Sequence, residues 1–221
     1  MIEFVKPSVL ALWLISLEAD LRPISVNETE WAKNLPFRKA RQFKHSRGYV
    51  RESLSELFNI PALEIPLNAP PGEPPKLPTG WGNISLSHCY DCLFIGWSPE
   101  RIGVDIERSD RDFKVDQLIK RFFSRLETKK LMHLSKEERK FEVLKQWVIK
   151  EAAIKWQRGS IIRDFSKWKF YPNSNQVIHQ SMGDEADLCF LSYHYWLMGV
   201  ALEKDTHNSK PIFCQKVIPE R

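Results

Sequence analysis

Long apolar runs are missing from this 221-residue chain, and no segment approaches the roughly 20 residues that a helical membrane span requires. The amino-terminal run Val9–Leu17 is short, follows an acid at Glu3, and has no small-residue cleavage site after it. It reads as a buried strand over Leu10–Leu17, and a cytoplasmic protein is expected. Low-complexity tracts are absent as well. With 43% apolar residues, 8 Trp and 13 Phe, the composition excludes a disordered chain. Cysteine is sparse: Cys89, Cys92, Cys189 and Cys214 show no framework spacing, which excludes a disulfide-stapled miniprotein. The stretch "HCYDC" holds one C-x-x-C without a second pair, too few ligands for a structural zinc, so these read as reduced core thiols. Acids are missing altogether between Trp31 and Arg51, where seven Lys/Arg stand. A second basic block, Arg111 to Arg158, has fourteen bases against seven acids, and since the net charge is only +5 the rest of the chain is acidic. Two such blocks suit nucleic acid, a phosphorylated small molecule or an acidic protein; the ordinary alternative is a set of solvated helix faces.

The length allows one core of ordinary size or two small halves. After the first strand, residues 25–60 are helical in pattern, with Pro36 opening a new helix and Leu54, Leu57 and Phe58 forming an apolar stripe. Seven of the fourteen prolines crowd residues 59–80, too many for a central strand, so this is a loop. Three strands are expected near Trp81–Ser87, Cys92–Ser98 and Arg101–Glu107, the last two joined by a Ser-Pro-Glu turn in a hairpin-rich antiparallel sheet. Helices follow over 115–157, with a Ser135/Glu138 capping box opening a long helix to Trp156. Strands return at Trp168–Tyr171 and Leu188–Glu203. "SHCYDCLFIGW" and "SYHYWLMGVAL" echo each other, a polar start and an apolar run with a glycine. The expected fold class is therefore α+β, in two similar halves with antiparallel sheets related by pseudo-twofold symmetry, over 1–100 and 101–221, with a site at their interface.

Two stretches carry chemistry. In "RIGVDIERSD" strand alternation sends Val104 and Ile106 to one face and Gly103, Asp105 and Glu107 to the other, which sets two carboxylates side by side. Such a pair must be solvated, neutralised by Lys/Arg, or bridged by a divalent cation. In "KQWVIKEAAIKWQRG" a helix brings Trp147, Glu151, Ile154 and Lys155 to one face. Alone, Glu151 and Lys155 are an ordinary i,i+4 pair worth a few tenths of a kcal/mol.

Together these stretches resemble the Sfp-type 4′-phosphopantetheinyl transferases of the holo-acyl-carrier-protein synthase superfamily. That family's G-[VI]-D-[IVL]-E strand appears as "GVDIE" (Gly103 to Glu107), and its W-x-x-K-E-[AS]-x-x-K as "WVIKEAAIK" (Trp147 to Lys155). Its R-F-F-[ST]-x-x-E appears as "RFFSRLE" (Arg121 to Glu127) and its Ser-His as Ser87-His88. The resemblance runs from about Leu35 through Lys155. It implies transfer of the phosphopantetheine arm of coenzyme A, the co-substrate, to a serine of an apo acyl or peptidyl carrier protein, with release of 3′,5′-ADP. Asp105, Glu107 and Glu151 would hold Mg²⁺, or Mn²⁺ in its place, a hard cation that suits carboxylate and phosphate oxygens. Glu127 is a further candidate ligand, although Ser124-x-x-Glu127 is equally a capping box. Glu151 would act as general base, with Lys150 and Lys155 offsetting phosphate charge. Arg38, Lys39, Arg47, Lys76, Ser87, His88 and Lys155 would contact the coenzyme.

Two departures from the family pattern stand out. Glu73 in "GEPPKL" replaces a coenzyme-contacting lysine, a role Lys76 would take over, and Asn83 lies two positions early before the Ser-His. Length favours the single-chain, two-halved type, a monomer, with no nucleic-acid or membrane partner. The competing readings are a Mg²⁺-dependent phosphodiesterase or nuclease, and a non-enzymatic basic module binding an acidic protein.

Overall fold

The computed structural model describes residues 10–204 and, as a strand, 212–216. Residues 1–9, where the amino-terminal apolar run begins, lie outside the described part. Along the chain come β1 (Ala11–Ser16), α1 (Val26–Lys33), α2 (Phe37–Phe58), β2 (Asn83–Cys89), β3 (Cys92–Ser98) and β4 (Ile102–Arg108). Then follow α3 (Val115–Phe122), α4 (Arg125–Met132), α5 (Lys136–Gln157) and α6 (Ile161–Asp164). The last strands are β5 (Trp168–Tyr171), β6 (Gln176–His179), β7 (Glu185–Tyr193), β8 (Trp196–Leu202) and β9 (Ile212–Lys216). The fold is α+β, as expected, and the chain forms two compact units. No helix among the described residues is long and apolar enough to cross a membrane.

One unit holds the sheet β2-β3-β1-β9 with α1 and α2. β1 is antiparallel to β3 but parallel to β9, a pairing that alternation alone does not announce. Trp13, Ile15, Val50, Leu54 and Trp97 form its core. Two bases of the acid-free block turn inward here. Arg51 pairs with Glu28 at 2.8 Å and donates to the carbonyls of Ile65 and Leu67, while Arg47 donates to that of Ala69 at 2.8 Å. Both guanidiniums thereby supply donors to proline-rich backbone that makes few hydrogen bonds of its own, chiefly a 3-10 turn at Ala62–Glu64, an isolated bridge between Asn68 and Lys76 and a few short turns.

The other unit holds the end of β2 (Ser87–Tyr90) and everything from β4 through β8, in the antiparallel order β4-β8-β7-β6-β5. α5 lies across β4 and β8 and supplies Val148, Ile149, Ala152 and Trp156 to the core. The expected β3–β4 hairpin does not form. The two strands stand in different sheets, and β4 pairs with β8 from Ile102↔Leu202 to Arg108↔Trp196. Close packing of α5 on that pair is the physical reason: a Cβ on Gly103 would fall 2.0 Å from the Ala152 carbonyl oxygen, and one on Gly199 would fall 2.5 Å from that of Val148. The expected strand over Leu188–Glu203 is likewise two strands, β7 and β8, divided by a tight turn with His194 at φ 48°.

Candidate active site

Strand alternation and helix periodicity meet at Asp105. Gly103, Asp105 and Glu107 share the face of β4 that looks at α5, and the missing Cβ of Gly103 lets the helix backbone approach. Lys155 thereby reaches Asp105: its ammonium donates to Asp105 Oδ1 at 2.7 Å and to the Val104 carbonyl at 3.1 Å. The Ser87 hydroxyl donates to the same Oδ1 at 2.7 Å. Asp105 is 2% exposed; its Oδ2 takes no hydrogen bond from an N–H or hydroxyl group, and the carboxyl next to Asp105 is that of Glu151, which bonds to it when protonated. Two buried carboxyls so placed need either a shared proton or a bound cation between them.

One turn before Lys155, Glu151 stands 3.9 Å from the Lys155 ammonium. Burial, and next the neighbouring charge of Asp105, push the Glu151 carboxyl up to about 8 against the pull of Lys155. A carboxyl poised there exchanges protons near neutrality, which ordinary glutamates do not.

Glu107 is engaged otherwise. Its Oε2 accepts the Cys89 thiol at 3.0 Å and is ion-paired by Arg111, whose guanidinium lies 5.0 Å from the Phe113 ring centre. Burial, and then the bond to Glu107, push the Cys89 thiol far above the usual thiol range, so it is a protonated donor. Burial opposes the charge on Arg111, but the Glu107 hydrogen bond and the attraction of its charge together outweigh it and raise the guanidinium. Glu127 caps α4 through Ser124 and pairs with Lys150 at 2.5 Å, the capping box that the sequence signalled. The Lys150 ammonium is fully buried, 5.1 Å from the ring centres of both Phe123 and Phe165, and burial lowers it despite Glu127.

Asp105, Glu151, Lys155 and Ser87 thus come together, Glu107 stands with Cys89 and Arg111, and Glu127 with Lys150. His88, the next residue on β2, is exposed. In the first unit Arg38 and Lys39 are exposed on the opening turn of α2, Arg47 is buried against Ala69, and Lys76 is exposed and pairs with Glu73 at 3.5 Å. Among the described residues no three His, Cys, Asp or Glu side chains already stand in a metal-binding arrangement. The donors nevertheless fit a hard divalent cation: they are carboxylate oxygens, Asp105 and Glu151 stand together, and Oδ2 of Asp105 takes no N–H or hydroxyl donor. Sequence reasoning missed Arg111 and the contact of Cys89. Alternation along β2, which sets Ser87 and Cys89 on one face, could have found the second.

Residues 101–207 match the family model of the 4′-phosphopantetheinyl transferase superfamily. That span takes in β4 and α5, and with them both motif stretches. Residues 101–207 therefore form a domain of this superfamily, one of the kind that transfers phosphopantetheine. No curated protein matches the chain.

Proposed function

We propose that the protein transfers the 4′-phosphopantetheine arm of coenzyme A to a serine of an apo acyl or peptidyl carrier protein and releases 3′,5′-ADP, in the manner of the Sfp-type enzymes. The observation that carries this reading is the buried Asp105, with one oxygen shared by Lys155 and Ser87, its other oxygen without an N–H or hydroxyl donor, and the Glu151 carboxyl alongside. A divalent cation, Mg²⁺ or Mn²⁺, would be held by Asp105 and Glu151 with Glu107, and when bound it offsets charge on the pyrophosphate under attack.

The chain's own residues do the rest. Glu151, in its ionised form, takes the proton of the carrier's serine hydroxyl, directly or through one water. Lys155 holds Asp105 and keeps a positive charge where phosphate charge develops. Lys150, buried on Glu127, acts through that pair and secures α4 against α5. His88, Arg38, Lys39, Arg47 and Lys76 are proposed contacts of the coenzyme, and the enzyme is proposed to act as a cytoplasmic monomer. Incubation with Mg²⁺, coenzyme A and an apo carrier, followed by mass spectrometry, tests the reading. A carrier gaining one phosphopantetheine supports it, and an unchanged mass returns the acids to phosphodiester cleavage or to plain ion pairing.

A further inference from the structure

Glu107 sits on the same strand face as Asp105 and two residues along, yet its surroundings differ. Asp105 leaves one buried oxygen without an N–H or hydroxyl donor, whereas Oε2 of Glu107 is taken twice, by the Cys89 thiol and by the Arg111 guanidinium. Arg111 is itself held in place. Its side chain is 20% exposed, its cation lies over Phe113, and it follows directly on a turn pinned by the bidentate Arg108–Asp110 pair. A planar guanidinium fixed on a carboxylate is the natural competitor of a metal ion for that oxygen, since both offset the same charge.

We propose that Arg111 is the internal counter-ion of Glu107 and competes with a divalent cation for the charge and the Oε2 atom of that carboxylate, so that it weakens the hold of the site on its metal. Arg111 touches no reacting atom; it is a positioning residue that sets how tightly the site takes its metal. The inference rests on the metal reading given above. It makes the ion pair a rival of the metal: two carboxylates receive the ion, and Glu107 commits to it as Arg111 loosens its grip. Cys89 belongs to the same latch as a neutral donor that stays with Glu107.

Calorimetric titration of the whole protein with Mn²⁺, without coenzyme A or carrier, tests this. Arg111→Gln is expected to bind the cation several-fold more tightly than the wild type and to show a larger cation-induced rise in Tm, because binding to the native state alone stabilises it. Arg111→Lys, which keeps the charge, is expected to return the affinity towards that of the wild type. The wild type offers a second readout: the Arg111 side-chain NMR signal should shift in step with Mg²⁺ binding. Unchanged or weaker Mn²⁺ binding in Arg111→Gln overturns the proposal, and so does an Arg111 signal that stays still while Mg²⁺ binds. A wild type that binds no divalent cation fails the metal reading itself, whereas a wild type that binds it beside an untightened Arg111→Gln fails only the latch.

Discussion

Ser87 and Lys155 both serve one buried oxygen of Asp105, the other takes no N–H or hydroxyl donor, and the Glu151 carboxyl stands alongside with its proton affinity raised. Asp105→Ala and Glu151→Gln are each expected to lower transfer to the carrier by orders of magnitude, since each removes stabilisation made at the reacting centre. Cooperative thermal unfolding of the variants separates this loss from collapse, and near-wild-type activity in either refutes the assigned roles. Glu151 also sets a pH dependence in metal-free protein. Its folded value, about 8, lies above that of the unfolded chain, so between the two the native state binds the extra proton. Stability from this group is complete below the unfolded carboxylate value and declines as pH rises towards 8. Denaturant titrations in a chelator should show that decline, and Glu151→Gln should flatten it. At this scale much of the site was legible: a period of two sets Asp105 beside Glu107, and a spacing of four sets Glu151 over Lys155, with no tertiary information needed. Arg111 was not legible, because its meeting with Glu107 depends on the turn after Arg108, which neither period describes.

Between α5 and the β4–β8 pair there is no room for a methyl group at two places. Gly103→Ala would press a Cβ against the Ala152 carbonyl and the Trp156 amide, and Gly199→Ala would press one against the Val148 carbonyl. These neighbours are backbone and cannot rotate away, so each change is expected to cost about 1–3 kcal/mol or more, as overpacking does. Urea titration measures it. Gly103→Ala should also lose activity beyond its loss of stability, because α5 carries Lys155 and Glu151 away from Asp105 as it lifts; a variant as stable and active as wild type would mean that the helix slides freely. The elements themselves were readable where local signals are complete. Ser135 and Glu138 form the expected capping box, and α5 runs Lys136–Gln157 against an expected end at Trp156. Pro36 precedes α2 as expected. The change of sheet between β3 and β4 was hidden, because Ser-Pro-Glu punctuates a crossing as well as a hairpin. The parallel seat of β9 was hidden too, since its partner β1 is nearly the whole chain away.

Charge across the whole molecule is less uniform in purpose than its two basic blocks suggest. Arg47 and Arg51 spend their charge on loop carbonyls and Glu28, whereas Lys120 and Arg121 at the end of α3 are exposed. A segment mixing bases with large apolar residues could steer an acidic carrier with its charges and grip it with Phe113, Leu118 or Phe122, yet all three pack against the core of their own unit. The exposed apolar groups nearby in sequence are Leu126 and Met132 of α4, 66% and 50% exposed, with Arg125, Lys129 and Lys130 on the same helix. If a carrier protein is the substrate, Lys120 and Arg121 act by long-range attraction, which raises association more than it holds the complex. Reversing both to Glu is expected to raise KM for the carrier several-fold and leave KM for coenzyme A nearly unchanged. The effect should be largest at low salt, because at 0.1 M the Debye length is only about 10 Å and exposed charges are screened beyond it. Leu126→Ala should instead speed dissociation of the carrier with little dependence on salt, since an apolar anchor is insensitive to screening. A parallel rise in both KM values would assign Lys120 and Arg121 to the nucleotide, and no change in either would move the carrier to another face.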